Sequence, residues 1–115
     1  MTERDNTPIT VLTTLESAED ARSFVRHLVE RRIVACGTIV SGVRSVYRWE
    51  GDVIEAGEAL VVLKTRRGRW PDLVEAAQHH HPYEVPELIA LPIIEGLPTY
   101  LDWLDRETDA SKEPA

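Results

Sequence analysis

The sequence predicts an α+β protein of ferredoxin-like type: a βαββαβ sandwich with a long β-hairpin and a short helix after the last strand. Three observations carry this prediction. Runs rich in β-branched residues alternate with two segments whose apolar residues recur at helical spacing. Two of the strand runs are parted only by "EGD" at 50–52, which makes them a hairpin instead of a crossover. Prolines at 71, 82 and 86 punctuate the second helical segment at its start and after its end. At 115 residues the chain has room for one domain and one core.

The elements follow in order. Residues 1–7 are polar and read as a flexible N-terminal arm, and "PITVLTT" from Pro8 to Thr14 is the first strand, with its proline only at the entrance. Ser17 and Asp20 have the spacing of a capping box, with Asp in the place of Glu or Gln. Behind them Ala21, Phe24, Val25, Leu28 and Val29 form one apolar face of a helix that runs to Arg32. From Ala35 to Glu50 the chain is again β-rich, with a bulge or bend expected at Ser41-Gly42, and the return strand runs from Val53 to Arg66. A hairpin with about a dozen paired residues per arm spans roughly 40 Å. A compact chain of this length is only about 35 Å across. Part of the ribbon, carrying Val43, Val46, Tyr47 and Trp49, must therefore overhang, and a bare two-stranded ribbon is unstable in water unless another chain covers it.

Pro71 suits the first turn of the second helix, whose apolar face is Trp70, Leu73, Val74 and Ala77, and Pro82 stops it. Residues 81–86 are an extended connector, Glu87–Ile94 the last strand, and "PTYLDWLDRE" a terminal amphipathic helix. The domain thus occupies 8–107, and 108–115 form a polar tail.

Charge narrows the partners. A net charge of −7 repels nucleic acid and anionic membrane alike, and leaves cations or small solutes. "MTERDNT" lacks an apolar core of the secretory kind, no apolar run is long enough for a membrane span, and the lone Cys36 has no intrachain partner, so a reducing cytoplasmic home is expected.

The strongest chemical signal is "HHHPYEVPE" at 79–87. Adjacent imidazoles at a frayed helix end are candidate copper or zinc ligands. The competing reading is cationic histidines that complement the helix macrodipole. Cys36 offers a soft donor for copper(I), or is a small buried hydrophobe at the start of a strand, the weightier alternative. "KTRRGR" at 64–69 is either an anion clamp or solvated surface, with Lys64 set apart by closing the apolar run Leu60–Leu63. Tyr47, Trp49, Tyr83, Tyr100 and Trp103 belong to core, interface, or the walls of a polar cleft. No phosphate loop, Ser-His-Asp order or HExxH motif is present, and no pair of groups has a spacing that suggests acid–base work. Neither an enzyme nor an organic cofactor is expected.

The strings "GVRSVYRWEG" (42–51), "LVVLKT" (60–65), "HPYEVPELIALPI" (81–93) and "YLDWL" (100–104) resemble the CutA family of divalent-cation tolerance proteins, in order and from about Ile9 to Leu104. The resemblance implies a tight PII-like homotrimer whose hairpins join sheets between subunits. It further implies intersubunit clefts lined here by Trp49, Lys64, His81, Tyr83, Glu84 and Glu87, and an association with metal tolerance and copper. The metal candidates are His80 and His81. Three departures bear on it. Gly37 and Thr38 replace a branched residue and an amide, Thr13 stands where some bacterial members carry a copper-binding cysteine, and His79 is additional. Two functions remain open on this reading: a non-enzymatic trimer that binds divalent cations through His80 and His81, and a PII-like signalling module that takes a small anionic metabolite on Lys64, oriented by Glu84 and Glu87.

Overall fold

The computed structural model describes residues 5–112. Its elements are β1 (Pro8–Leu15), α1 (Ala18–Glu30), β2 (Cys36–Trp49), β3 (Asp52–Arg66), α2 (Trp70–His80), β4 (Ile89–Pro92) and α3 (Pro98–Glu107), the split βαβ order with an added helix. The four strands form one antiparallel sheet in the order β2-β3-β1-β4.

Local chemistry explains the boundaries. Ser17 caps α1, its Oγ accepting the Asp20 backbone N–H at 3.1 Å. The hairpin turns at Glu50 and Gly51, both with positive φ, as a two-residue turn matched to strand twist requires. The register of β2 slips between Val40 and Val43, where Gly42 has φ +75°, so the bulge falls at Ser41-Gly42. Pro71 occupies the first turn of α2, and the helix ends ahead of Pro82 with His81 extended at ψ 133°.

β4 is shorter than the strand expected over 87–94. In the β1–β4 register Pro8 faces Ile93, whose N–H it accepts, so continuation would set Glu87 against Thr14. The Thr14 carbonyl is instead closed by His81 Nε2 at 3.0 Å, and the sheet edge there belongs to a side chain. The ends also depart from the expected arm and tail. Residues 1–4 and 113–115 lie outside the described residues, but the Asp5 and Thr7 carbonyls accept the N–H groups of Gly68 and Arg67, and Thr108 is fully buried.

The sheet has two unlike faces. Ile9, Val11, Leu15, Val61 and Leu63 pack beneath Phe24, Val25 and Leu28 of α1 and Leu73, Ala76 and Ala77 of α2. The alternate residues of the same strands make a second face, on which α3 covers the end at Cys36 and Arg66 through Tyr100 and Thr108, while α1 and α2 leave the rest open: Leu12, Leu60 and Val62 are half-buried, and Val40, Ile89 and Leu91 exposed. The molecule measures 43 × 32 × 25 Å. Its radius of gyration, 14.7 Å, exceeds the roughly 13 Å of a compact chain of this length, because the distal ribbon stands out from the sheet.

"KTRRGR" is not simple solvated surface. Arg66 is 1% exposed: its guanidinium donates to Thr108 Oγ1, the Thr108 carbonyl and the Asp5 carbonyl, and Nε lies 3.8 Å from Asp105. Arg69, also buried, pairs with Asp72 at 2.9 Å. These two cations bind the end of β3 to α3 and α2.

Candidate cation site at the end of α2

The histidine run is divided by the helix end. His81, the first extended residue, turns inward and is 7% exposed. Its Nε2 lies 3.0 Å from the Thr14 carbonyl and 3.2 Å from Thr13 Oγ1, while Nδ1 accepts the Tyr83 backbone N–H at 3.2 Å. A carbonyl only accepts, so Nε2 carries the proton and Nδ1 presents its lone pair to Tyr83. Phe24 meets the ring edge-on at 5.4 Å. Burial, against the opposing influence of the Thr14 carbonyl and Glu58, holds its pKa below the usual imidazole range. A neutral imidazole with both nitrogens committed is a structural crosspiece between β1 and the connector. His81 therefore does not stand ready beside His80 as a metal ligand.

His80 remains on the helix and is exposed, with no hydrogen bond to any described residue. Its ring lies 4.1 Å from that of His27, on α1. His27 Nε2 is shielded from solvent and has no hydrogen-bond partner among the described residues. Burial first, then the charges of His80 and Arg31, depress the His27 pKa, which favours the neutral, lone-pair-bearing ring. A depression of about 300 Å³ on one side of the pair is lined by Asp20, Ser23 and Pro82, and one of about 230 Å³ on the other by Asp72, Glu75 and His79. His79 Nδ1 donates to the Glu75 carbonyl at 2.9 Å. Among the described residues no three His, Cys, Asp or Glu side chains are grouped as a ready-made ion cage.

Within one protomer, the residues expected to line an intersubunit cleft lie in separate places. Tyr83 packs on His81 with ring centroids 5.1 Å apart, and its hydroxyl donates to Glu58 Oε2 at 2.6 Å. Burial, then that bond and the Glu58 charge, push the Tyr83 pKa far up. Glu84 and Glu87 are exposed on the connector. Lys64 sits between Thr10 and Cys36 in the sheet, half-buried and without an ion pair to any described residue. Trp49 pairs with Asp52 at the ribbon tip, separated from Lys64 by the length of β3, roughly 40 Å at about 3.3 Å per residue. One protomer therefore does not bring Trp49 and Lys64 into a common cleft.

Cys36 is half-buried, and its Sγ lies 3.6 Å from the Tyr100 hydroxyl. Burial and that contact raise the Tyr100 pKa to about 12. Thr13 gives His81 a hydroxyl neighbour, its Oγ1 lying 3.2 Å from Nε2.

His27 is the residue the sequence reading missed. It falls three residues after Phe24 and seven after Asp20, on the flank of the apolar stripe of α1. That spacing marks a helix flank, and only the packing of α1 on α2 reveals what it faces.

Comparison with known proteins bears on all of this. A family model described as CutA1 divalent ion tolerance protein matches residues 9–107. A curated Thermus thermophilus protein named divalent-cation tolerance protein CutA is 49% identical over 98 residues, 85% of this chain and 95% of its own. Protein CutA, chloroplastic, of Arabidopsis thaliana is 40% identical over 100 residues, which span 87% of this chain and 55% of that longer protein. A solved divalent cation tolerance protein from Thermus thermophilus superposes with TM-score 0.86 at 47% identity, covering 89% of this chain and 99% of that one.

Proposed function

Because this chain belongs to the CutA1 divalent ion tolerance family, we propose that it serves divalent-cation tolerance as a non-enzymatic, cytoplasmic homotrimer that binds copper or zinc, with the end of α2 as the point of attachment. The observation that supports this reading is His80, exposed and without a hydrogen bond to any described residue. Copper(II) and zinc(II) take imidazole nitrogen, whereas calcium and magnesium favour oxygen. Nitrogen ligation suits copper(II) over copper(I), since the one thiol, Cys36, is engaged with Tyr100. The names of the relatives speak of tolerance to divalent cations and of no reaction. The open apolar sheet face supports assembly, because a sheet whose second face is apolar needs a cover.

A second reading keeps one observation in its favour. The Lys64 ammonium, lacking an ion pair to any described residue, suits a small anionic metabolite in a PII-like intersubunit cleft. Calorimetric titration of copper(II) and zinc(II) into tag-free protein separates the two. Binding near one ion per protomer is expected. Weak, non-stoichiometric heats, together with a saturable anion-dependent thermal shift that Lys64→Ala abolishes, would move the function to the Lys64 cleft.

A further inference from the structure

We propose that His27 of α1 and His80 of α2 form a clip that holds one borderline divalent cation, copper(II) or zinc(II), on two imidazole nitrogens, with water completing its coordination. The inference rests on the cation-binding reading above and names the second ligand, one that the histidine run at 79–81 does not contain.

Two independent observations carry it. The two rings, one on each helix, lie with centroids 4.1 Å apart and planes 44° from parallel, within the span that two imidazoles bound at about 2.0 Å to one ion require. Separately, His27 Nε2 is withdrawn from solvent yet bonded to nothing described. A buried polar atom without a partner is costly and rare, and it asks for an occupant. An ion at the clip supplies one.

The surroundings agree in charge and shape. Asp20 lines the depression on one side of the pair, Asp72 and Glu75 the depression on the other, which offsets the Arg31 cation on the same rim. The absence of a grouped third donor among the described residues sets the class of ion: not calcium or magnesium, which need several oxygens, but an ion content with nitrogen and water. His81, both nitrogens committed, stays outside the clip.

The test uses the full tag-free chain with copper(II) and zinc(II) as probes, measured by calorimetry and, for copper, by electron paramagnetic resonance. The variants are His27→Phe, which keeps a ring against His80, His27→Asn as a second substitution in case the first perturbs packing, His80→Asn, and the His27→Asn/His80→Asn double. Each single variant should bind at least about tenfold more weakly, in line with the loss of a group that supports a metal site. In each single variant the copper signal should fall from two coupled nitrogens to one, and the double should lose the remaining one and bind more weakly than either single. If His27→Phe and His27→Asn keep both the affinity and the two-nitrogen signal of the unaltered protein, the clip is wrong while cation binding stands. If the unaltered protein binds neither ion, the cation-binding reading fails, and the clip with it.

Discussion

At the scale of single residues, His81 shows how a side chain that looks like a ligand is turned into scaffold. Its imidazole closes the Thr14 carbonyl on one side and accepts the Tyr83 N–H on the other, so it fixes the connector that leads to β4. Replacing it removes partners from buried groups at about 1–3 kcal/mol each. His81→Gln is therefore expected to lower the unfolding free energy by about 2 kcal/mol in denaturant titration, while copper(II) affinity stays within a factor of two or so of the unaltered protein, since the ring holds no ion. A loss of metal affinity equal to that of His80→Asn would instead return His81 to the ligand set. The site was half legible in the sequence for a definable reason. Three consecutive histidines announce imidazole, but Pro82 forces His81 off the helix, and the inward turn that follows depends on an edge carbonyl contributed by β1. His27 was illegible because its partner comes from another helix. Arg66 was misread for the same reason, since its acceptors, Thr108 and Asp5, lie at the opposite ends of the domain.

At the scale of elements, the strand and helix order follows from patterning that each segment carries within itself: β-branched runs, a helical stripe, a capping serine, and prolines at helix ends. Segments whose limits depend on neighbours are where reading fails, and β4 is the example, shortened because His81 takes the hydrogen bond that Glu87 would make. The packing of α1 on the sheet explains why position 37 is glycine. A Cβ built on Gly37 would lie 2.7 Å from Val25 Cγ1 and 2.9 Å from Leu63 Cδ2, so the side chains of α1 and β3 leave no room for one there. Gly37→Val should destabilise by about 1–3 kcal/mol through overpacking. Denaturant unfolding checks it, and the Gly37→Val/Val25→Ala double should recover part of the loss. A Gly37→Val variant as stable as the parent would mean that α1 rides on the sheet more loosely than its contacts indicate.

At the scale of the whole molecule, two features that are costly in a lone protomer become consistent if three copies assemble. The open sheet face presents Leu12, Leu60, Val62, Ile89 and Leu91 in one layer, and the ribbon tip exposes Val46 at 62%, Trp49 at 44% and Val53 at 64%. These surfaces lie at different places along the 43 Å axis, so a neighbour must reach both, which an extended hairpin laid across an adjacent sheet does. The trimeric reading then makes a paired prediction. Val62→Lys places a charge in the middle of the open face and should convert trimer to protomer in sedimentation, because an unpaired buried ammonium costs several kcal/mol. Trp49→Ala should leave the protomer's own fold intact, because Trp49 is exposed there, and yet lower the melting temperature, since truncating an aromatic at a buried contact costs about 3–5 kcal/mol. The combination discriminates: an effect of Trp49→Ala on melting that vanishes in the Val62→Lys background shows that the ring is buried only by a second copy. A parent protein that sediments as a single protomer at all concentrations, or a Trp49→Ala variant that melts unchanged, would place the ribbon in solvent and leave the apolar sheet face to a different partner.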